Sequence, residues 1–316
     1  MSRLRVASQL PEAFNSVFAA NTPGIEIVPV PAGPPAALPD AAEILVAAPF
    51  RKAGGLLTPK PPAGWPFDLK WIQLVSVGID FYPDWLFDGP VVTSARGSSA
   101  VALAEFALAA ILASAKRLPD IWIDSADKWT AQPLKLIEGT TLGLIGFGAI
   151  GEALAPRAQA LGLNVIALRR SDLPFPVPGV ARAESVADLF AASDHVVLAA
   201  PATDDTHHIV NRETLARAKP GLHLINVARG ALIDDNALLE ALDDGRVGQA
   251  TLDVTYPEPL TPDHRYYTHP RVRLSPHTSV HTPDTRINLA ARFAENLARY
   301  RTGVPLADVV DLTRGY

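Results

Sequence analysis

The stretch TTLGLIGFGAIG, residues 140–151, decides how this chain is read. A mostly apolar run, residues 141–145, ends in Gly146-Phe147-Gly148-Ala149-Ile150-Gly151, and a helix-like segment, residues 152–161, follows at once. Strand, tight glycine turn and helix form the context in which G-x-G-x-x-G signals dinucleotide binding. The first glycine permits the sharp turn, the second lets the backbone approach a pyrophosphate, and the third lets helix and strand pack closely. The helix N-terminus then offers unpaired N–H groups and a positive dipole end to phosphates. These six residues are the expected cofactor cradle.

At 316 residues the chain exceeds the usual size of one core, so two domains are expected. Hydrophobic residues make up 48% and charged residues 19%, a globular composition. A net charge of −5 and a pI near 5.9 argue against nucleic-acid and anionic-membrane partners, which want a basic face. The absence of cysteine excludes disulfides, thiolate metal sites and cysteine nucleophiles, and suits a reducing compartment. Met1-Ser2-Arg3-Leu4-Arg5 is not followed by the apolar run and cleavage site of a signal peptide. The longest apolar run, residues 101–115, is broken by Glu105 and falls short of the roughly 20 residues of a bilayer span. A cytoplasmic protein is expected. Apart from His277 the histidines show no H-x-x-x-H or H-E-x-x-H spacing on a helix, and His277 and His281 flank a predicted loop, so no metal is expected.

Short apolar runs at 3–8, 25–30, 44–48, 71–77 and 91–93 read as strands of a small α/β domain, with a helix near 11–20 and proline-rich loops at 29–39 and 59–66. Residues 98–118 read as a long buried helix and 283–300 as a second, with Ile287, Leu289, Phe293, Leu297 and Tyr300 on helical spacing. Between them, strands at 142–145, 164–168, 195–199, 222–227, 249–253 and 272–274 alternate with helices, the clearest at 235–244 with Asp234 or Asp235 as its cap. The alternation predicts a doubly wound parallel (Rossmann) sheet with right-handed crossovers. Residues 99–284 form the expected nucleotide domain, inserted in a smaller flavodoxin-like α/β substrate domain made of 1–98 and 285–316. The two long helices are expected to cross between them and leave a cleft.

NAD enzymes place an acidic side chain near the end of the second strand, where it meets the adenosine ribose. Eighteen positions beyond Gly151 this chain has Arg169, then Arg170 and Ser171. Guanidinium groups match a phosphate bidentately and serine donates one bond more, so the run predicts NADP(H) in preference to NAD(H), with NAD(H) still accommodated. Downstream, Asn226-Val227-Ala228-Arg229-Gly230, then Asp253 with Glu258 five residues on, then Ser275-Pro276-His277-Thr278, leave successive strands at the edge where such sheets carry sites. An arginine there suits a 2-keto acid, binding its carboxylate and polarising its carbonyl. A histidine would protonate the developing alkoxide, and a glutamate on the other ring nitrogen would keep the imidazolium oriented and charged.

NVARGALIDDNALLEAL, LDVTYPEPL and LSPHTSVHT, ordered and spaced behind GFGAIG, resemble the D-isomer-specific 2-hydroxyacid dehydrogenase family over residues 70–300. The resemblance implies catalysis by Arg229, Glu258 and His277. It implies backbone contacts to the substrate carboxylate from Val77 and Gly78, with Arg229 and His277 also binding the substrate. Cofactor contacts would come from Val227, Ala228 and Asp253, the last toward the nicotinamide amide, and from Pro201 and Thr206 in AAPATDDTHHIV. It also implies a homodimer. There are departures: Ala149 stands where many relatives have arginine, Thr278-Ser279-Val280-His281 replaces a glycine-rich stretch, and Ser94 and Arg96 stand where asparagine and proline are common. The ending DLTRGY and the paired arginines resemble the glyoxylate/hydroxypyruvate reductase branch. A nucleotide-sensing, corepressor-like binding protein of the same fold is the alternative, which the complete Arg/Glu/His set and the acidic pI weigh against.

Overall fold

A computed structural model describes residues 3–50 and 60–315. The chain divides into two compact units, Met1–Ser99 with His281–Tyr316, and Ala100–Val280.

The first unit is built on five parallel strands, β1 (Leu4–Ser8), β2 (Ile25–Pro29), β3 (Ala42–Ala47), β4 (Trp71–Leu74) and β5 (Val91–Thr93), with helix α1 (Glu12–Asn21) after β1. Their order is β2-β1-β3-β4-β5, the flavodoxin-like arrangement. The C-terminal helix Pro283–Thr302 packs on this unit: the Phe293 ring stacks on Trp71 at 5.0 Å and meets Phe18 at 5.2 Å. Thr282 caps it, Pro283 opens it, and Gly303 closes it at φ +71°, where a side chain would be strained. Leu289, Phe293 and Leu297 are buried, but Ile287 is exposed, because two helical positions turn it about 200° away from Leu289. The run expected as a strand over 71–77 ends at Leu74, and Val77 and Gly78 lie in the loop beyond, where Ser76 Oγ donates to the Gly78 carbonyl (2.7 Å). Pro59 of the second proline-rich loop lies outside the described residues. Phe50 packs on Tyr82 and Trp85.

The second unit opens with α2 (Ala100–Ala115), then β6 (Thr141–Ile145), α3 (Ala149–Ala160), β7 (Asn164–Leu168), β8 (Val180–Arg182), α4 (Val186–Ala192), β9 (His195–Leu198), α5 (Arg212–Ala216), β10 (Leu222–Asn226), α6 (Asp235–Asp243), β11 (Val247–Leu252) and β12 (Val272–Leu274). The seven parallel strands run β12-β11-β10-β9-β6-β7-β8. Apolar strands such as LHLIN in β10 are buried along their whole length, as a sheet covered on both faces requires. Chain direction across the sheet reverses beside β6, which has β7 on one side and β9 on the other. Such switch points open a crevice at the carboxyl ends of the strands. Asp234 caps α6 through its side chain, accepting from Asn236 and Ala237 N–H. No helix among the described residues is long and apolar enough to cross a membrane.

At the opposite end of β9 and β10, His195 and His223 are register partners with rings 5.7 Å apart, edge to face. His223 Nε2 meets Thr251 Oγ1 at 2.9 Å, but Nδ1 of both rings has no hydrogen-bond partner among the described residues. Burial pushes His195 down to about 4, with the Asp194 charge opposing and Lys135 adding to the shift. Burial, with the neighbouring His195, pushes His223 down to about 3. Both rings fold neutral, with values depressed below the ordinary 6.5. Below that value the unfolded chain gains protons that the folded one refuses. Stability therefore falls as pH drops from about 6.5 toward 4, by up to about 1.4 kcal/mol per pH unit for each ring, and this pair contributes no slope above it. Denaturant midpoints measured from pH 8 to pH 5 check this; a profile flat between 6.5 and 5 contradicts it.

Candidate active site

The glycine loop is shaped by what surrounds each glycine. Gly146 has φ +94°, and a Cβ there would stand 2.7 Å from Ala200 N and 2.8 Å from the Ala199 carbonyl, so the turn after β6 presses against the end of β9. A Cβ on Gly151 would stand 3.0 Å from the Phe147 ring, which the third glycine lets pack inward. Gly148 differs: apart from its own chain neighbours, no atom of the described residues lies within 4 Å of its Cβ position. It is also the N-cap of the twelve-residue α3 and supplies no side-chain cap to the first turn. Open space in front of uncapped N–H groups is what a diphosphate needs, so the residues present fit a dinucleotide. Ala149 and Ile150 form the first turn of that helix.

Arg229, Asp253 and His277 follow β10, β11 and β12, three neighbouring strands, at the same edge of the sheet as the glycine loop. Asn226, fully buried, builds the turn that carries Arg229: its Oδ1 accepts Ala228 N–H (3.0 Å) and its Nδ2 donates to the Arg229 carbonyl (2.8 Å). Val227 and Ala228 are buried in that turn, and Arg229 Nη1 donates to the Ala228 carbonyl (2.8 Å). The loop bearing Glu258 crosses this turn so closely that a Cβ on Gly230 would stand 2.0 Å from the Thr255 carbonyl carbon.

Glu258 Oε1 accepts Thr255 N–H (3.0 Å), and Oε2 lies 2.9 Å from His277 Nδ1. A carboxylate only accepts, so Nδ1 carries the hydrogen of this bond and Nε2 is the nitrogen left for proton exchange. Burial alone would raise the Glu258 carboxyl, but the bond to His277, that ring's charge, the Thr255 N–H and the Arg229 charge together hold it below its ordinary value. The carboxylate is thereby kept ionised beside the imidazole. Glu258 thus responds to both the His277 ring and the Arg229 charge.

His277 itself has φ +49°, a left-handed conformation uncommon for a residue with a side chain and held here by its surroundings. Its N–H donates to the Asp253 carbonyl (2.8 Å). The Asp253 side chain, 2% exposed, accepts from Ser275 Oγ (2.6 Å), Thr278 N–H (2.9 Å), and the N–H and hydroxyl of Ser279. Both its oxygens are committed to the loop that carries His277, so in this structure Asp253 anchors that loop. Ser279, one of the departures from the glycine-rich pattern, is therefore part of the anchor. Asn226, Gly230 and the two serines carry no sequence signal for these duties beyond their place in the motifs.

Pro201 and Thr206 meet in the loop after β9, where Thr206 Oγ1 donates to the Pro201 carbonyl (2.6 Å) and accepts Thr203 N–H (2.8 Å). Arg169 ends the strand region of β7 with its guanidinium turned onto backbone carbonyls of its own loop, while Arg170 and Ser171 are exposed. Val77 and Gly78 belong to the first unit, and their assignment to the substrate carboxylate is carried by family likeness alone.

The model of the NAD binding domain of D-isomer specific 2-hydroxyacid dehydrogenases matches residues 108–279. The chain is 32% identical to D-3-phosphoglycerate dehydrogenase of Bacillus subtilis (strain 168) over 254 residues, 77% of this chain and 47% of that one, so it spans about half the length of that relative. It is 37% identical to hydroxypyruvate reductase of Thermotoga maritima over 227 residues, covering 70% of this chain and 69% of the other. A solved D-isomer specific 2-hydroxyacid dehydrogenase from Xanthobacter autotrophicus Py2, in complex with NADPH and MES, superposes with a TM-score of 0.83 at 27% identity, covering 100% of both chains. With the family model matching over half of its residues, and the glycine cradle and the Arg/Glu/His group in place, this chain belongs to the D-isomer specific 2-hydroxyacid dehydrogenase family.

Proposed function

We propose that this protein is an NADP(H)-dependent reductase of small 2-keto acids of the glyoxylate and hydroxypyruvate type. The observation that carries the reading is the 2.9 Å pair of His277 Nδ1 and Glu258 Oε2, with the Arg229 charge beside it. Arg229 binds the substrate carboxylate and polarises the adjacent carbonyl. His277, turned by Glu258 so that Nε2 is free to exchange a proton, protonates the carbonyl oxygen as negative charge develops there. When bound, the nicotinamide supplies the hydride. The residues of 146–151 hold its diphosphate, and Arg170 and Ser171 favour a 2′-phosphate over a bare ribose. A curated relative named hydroxypyruvate reductase and a similar structure holding NADPH support the substrate class and the cofactor.

The reading is tested by following nicotinamide absorbance as the pure protein meets NADPH or NADH with glyoxylate, hydroxypyruvate and bulkier keto acids. Turnover fastest with NADPH and a small keto acid is expected. No turnover with any pair ends the enzyme assignment; faster turnover with NADH ends the cofactor preference alone.

The protein is further proposed to be a homodimer. Trp122, Trp129, Leu134 and Leu136, between α2 and β6, are each exposed along one stretch of the chain, apolar side chains that a second copy would cover. Light scattering that returns the mass of one chain rules this out.

A further inference from the structure

Two guanidiniums close on one phenyl ring beside the loop that follows β7. Arg169 Cζ lies 5.2 Å from the Phe175 centroid, and Cζ of Arg182, the last residue of β8, lies 4.9 Å from it. Both arginines grip the same two carbonyls. Arg169 Nε and Arg182 Nη1 donate to Ser171 O (3.3 and 3.2 Å), and the Nη2 of each donates to Leu173 O (2.7 Å in both). Arg169 Nη2 also reaches Pro174 O (3.1 Å). Two like charges this close repel, and the shared carbonyls and the ring face are what hold them together. The Phe175 ring also packs on Phe147, inside the glycine loop, with centroids 4.6 Å apart. A continuous set of contacts therefore ties the 171–173 backbone to the diphosphate cradle.

We propose that Arg182 is a positioning residue for the adenosine 2′-phosphate, fixing the Arg170-Ser171 bend relative to the glycine loop through the two carbonyls it shares with Arg169. This deepens, and rests on, the NADP(H) reading above. Arg182 stands eleven positions beyond Ser171, on a three-residue strand with no motif around it. The grip needs a fork: two N–H groups of fixed geometry reach carbonyls two residues apart, which an ammonium on a flexible stem does not reproduce. Charge and geometry can therefore be separated by substitution.

The test is calorimetric binding of 2′,5′-ADP and of 5′-AMP to the full chain, which needs no substrate and no turnover. Wild type is expected to prefer 2′,5′-ADP. Arg182→Ala should weaken 2′,5′-ADP by roughly tenfold or more, the scale of one or two lost charge-assisted bonds, and leave 5′-AMP within about twofold. Arg182→Lys should show the same selective loss, and so should Phe175→Leu, which keeps both arginines. Unchanged 2′,5′-ADP binding by Arg182→Ala, full recovery by Arg182→Lys, or equal losses for the two ligands overturns the positioning role. Wild type that binds both ligands equally overturns the NADP(H) reading beneath it, an outcome distinct from the other three.

Discussion

His277→Ala should lower kcat by roughly 10²–10⁴-fold while NADPH affinity stays near wild type. The expectation follows from where the ring is held. Its Nδ1 is taken by Glu258, its backbone by the Asp253 carbonyl, and neither anchor belongs to residues 146–151. Removing the imidazole deletes the proposed proton donor and leaves the glycine loop after β6 untouched. Asp253 keeps its bonds to Ser275, Thr278 and Ser279 in the variant, so the loop should stay folded. Stopped-flow turnover and direct NADPH titration measure the two quantities separately. A variant that turns over at nearly the wild-type rate would remove His277 from the chemistry; one that loses NADPH binding as well would make it a structural residue of the cofactor site.

Much of the sheet is legible in the sequence. Strands buried on both faces must be short and apolar, so LHLIN and TLGLI declare themselves, and the glycine turn between β6 and α3 marks the nucleotide unit. Strand β8 did not, because VAR carries a charged residue whose partners are the carbonyls of Ser171 and Leu173, a tertiary fact. The expected strand over 71–77 was overextended for a related reason: VSV is apolar enough to pair, but residues 75–78 bend away after Leu74. Arg229, Glu258 and His277 stand out in the sequence because their charge falls just past strand ends, and the structure sets Glu258 against His277. Asp253 was legible as an acidic residue and not as an anchor, since its donors come from residues 22 to 26 positions later. The serine at 279 looked like a departure from a pattern and proves to be one of those donors.

Gly230→Ala should abolish most activity by a route that leaves every chemical group in place. The Cβ would stand 2.0 Å from the Thr255 carbonyl carbon, 2.3 Å from its oxygen and 2.4 Å from Tyr256 N. These are backbone atoms, which cannot swing aside as a side-chain tip can, so the penalty exceeds the roughly 1–3 kcal/mol of ordinary overpacking unless the loop moves. The loop that must move is the one whose Thr255 N–H holds Glu258 Oε1, three residues before the carboxylate that orients His277. A displacement of about 1 Å between catalytic groups is enough to cost roughly 100-fold in rate. The variant should therefore melt lower and, at temperatures where it remains folded, turn over at least roughly 100-fold more slowly with NADPH binding largely kept. The two readouts separate the explanations. Slow turnover in a folded, cofactor-binding variant locates the damage at the Arg229–Glu258 crossing, whereas wild-type rates would mean that the two loops need not touch for His277 to be held.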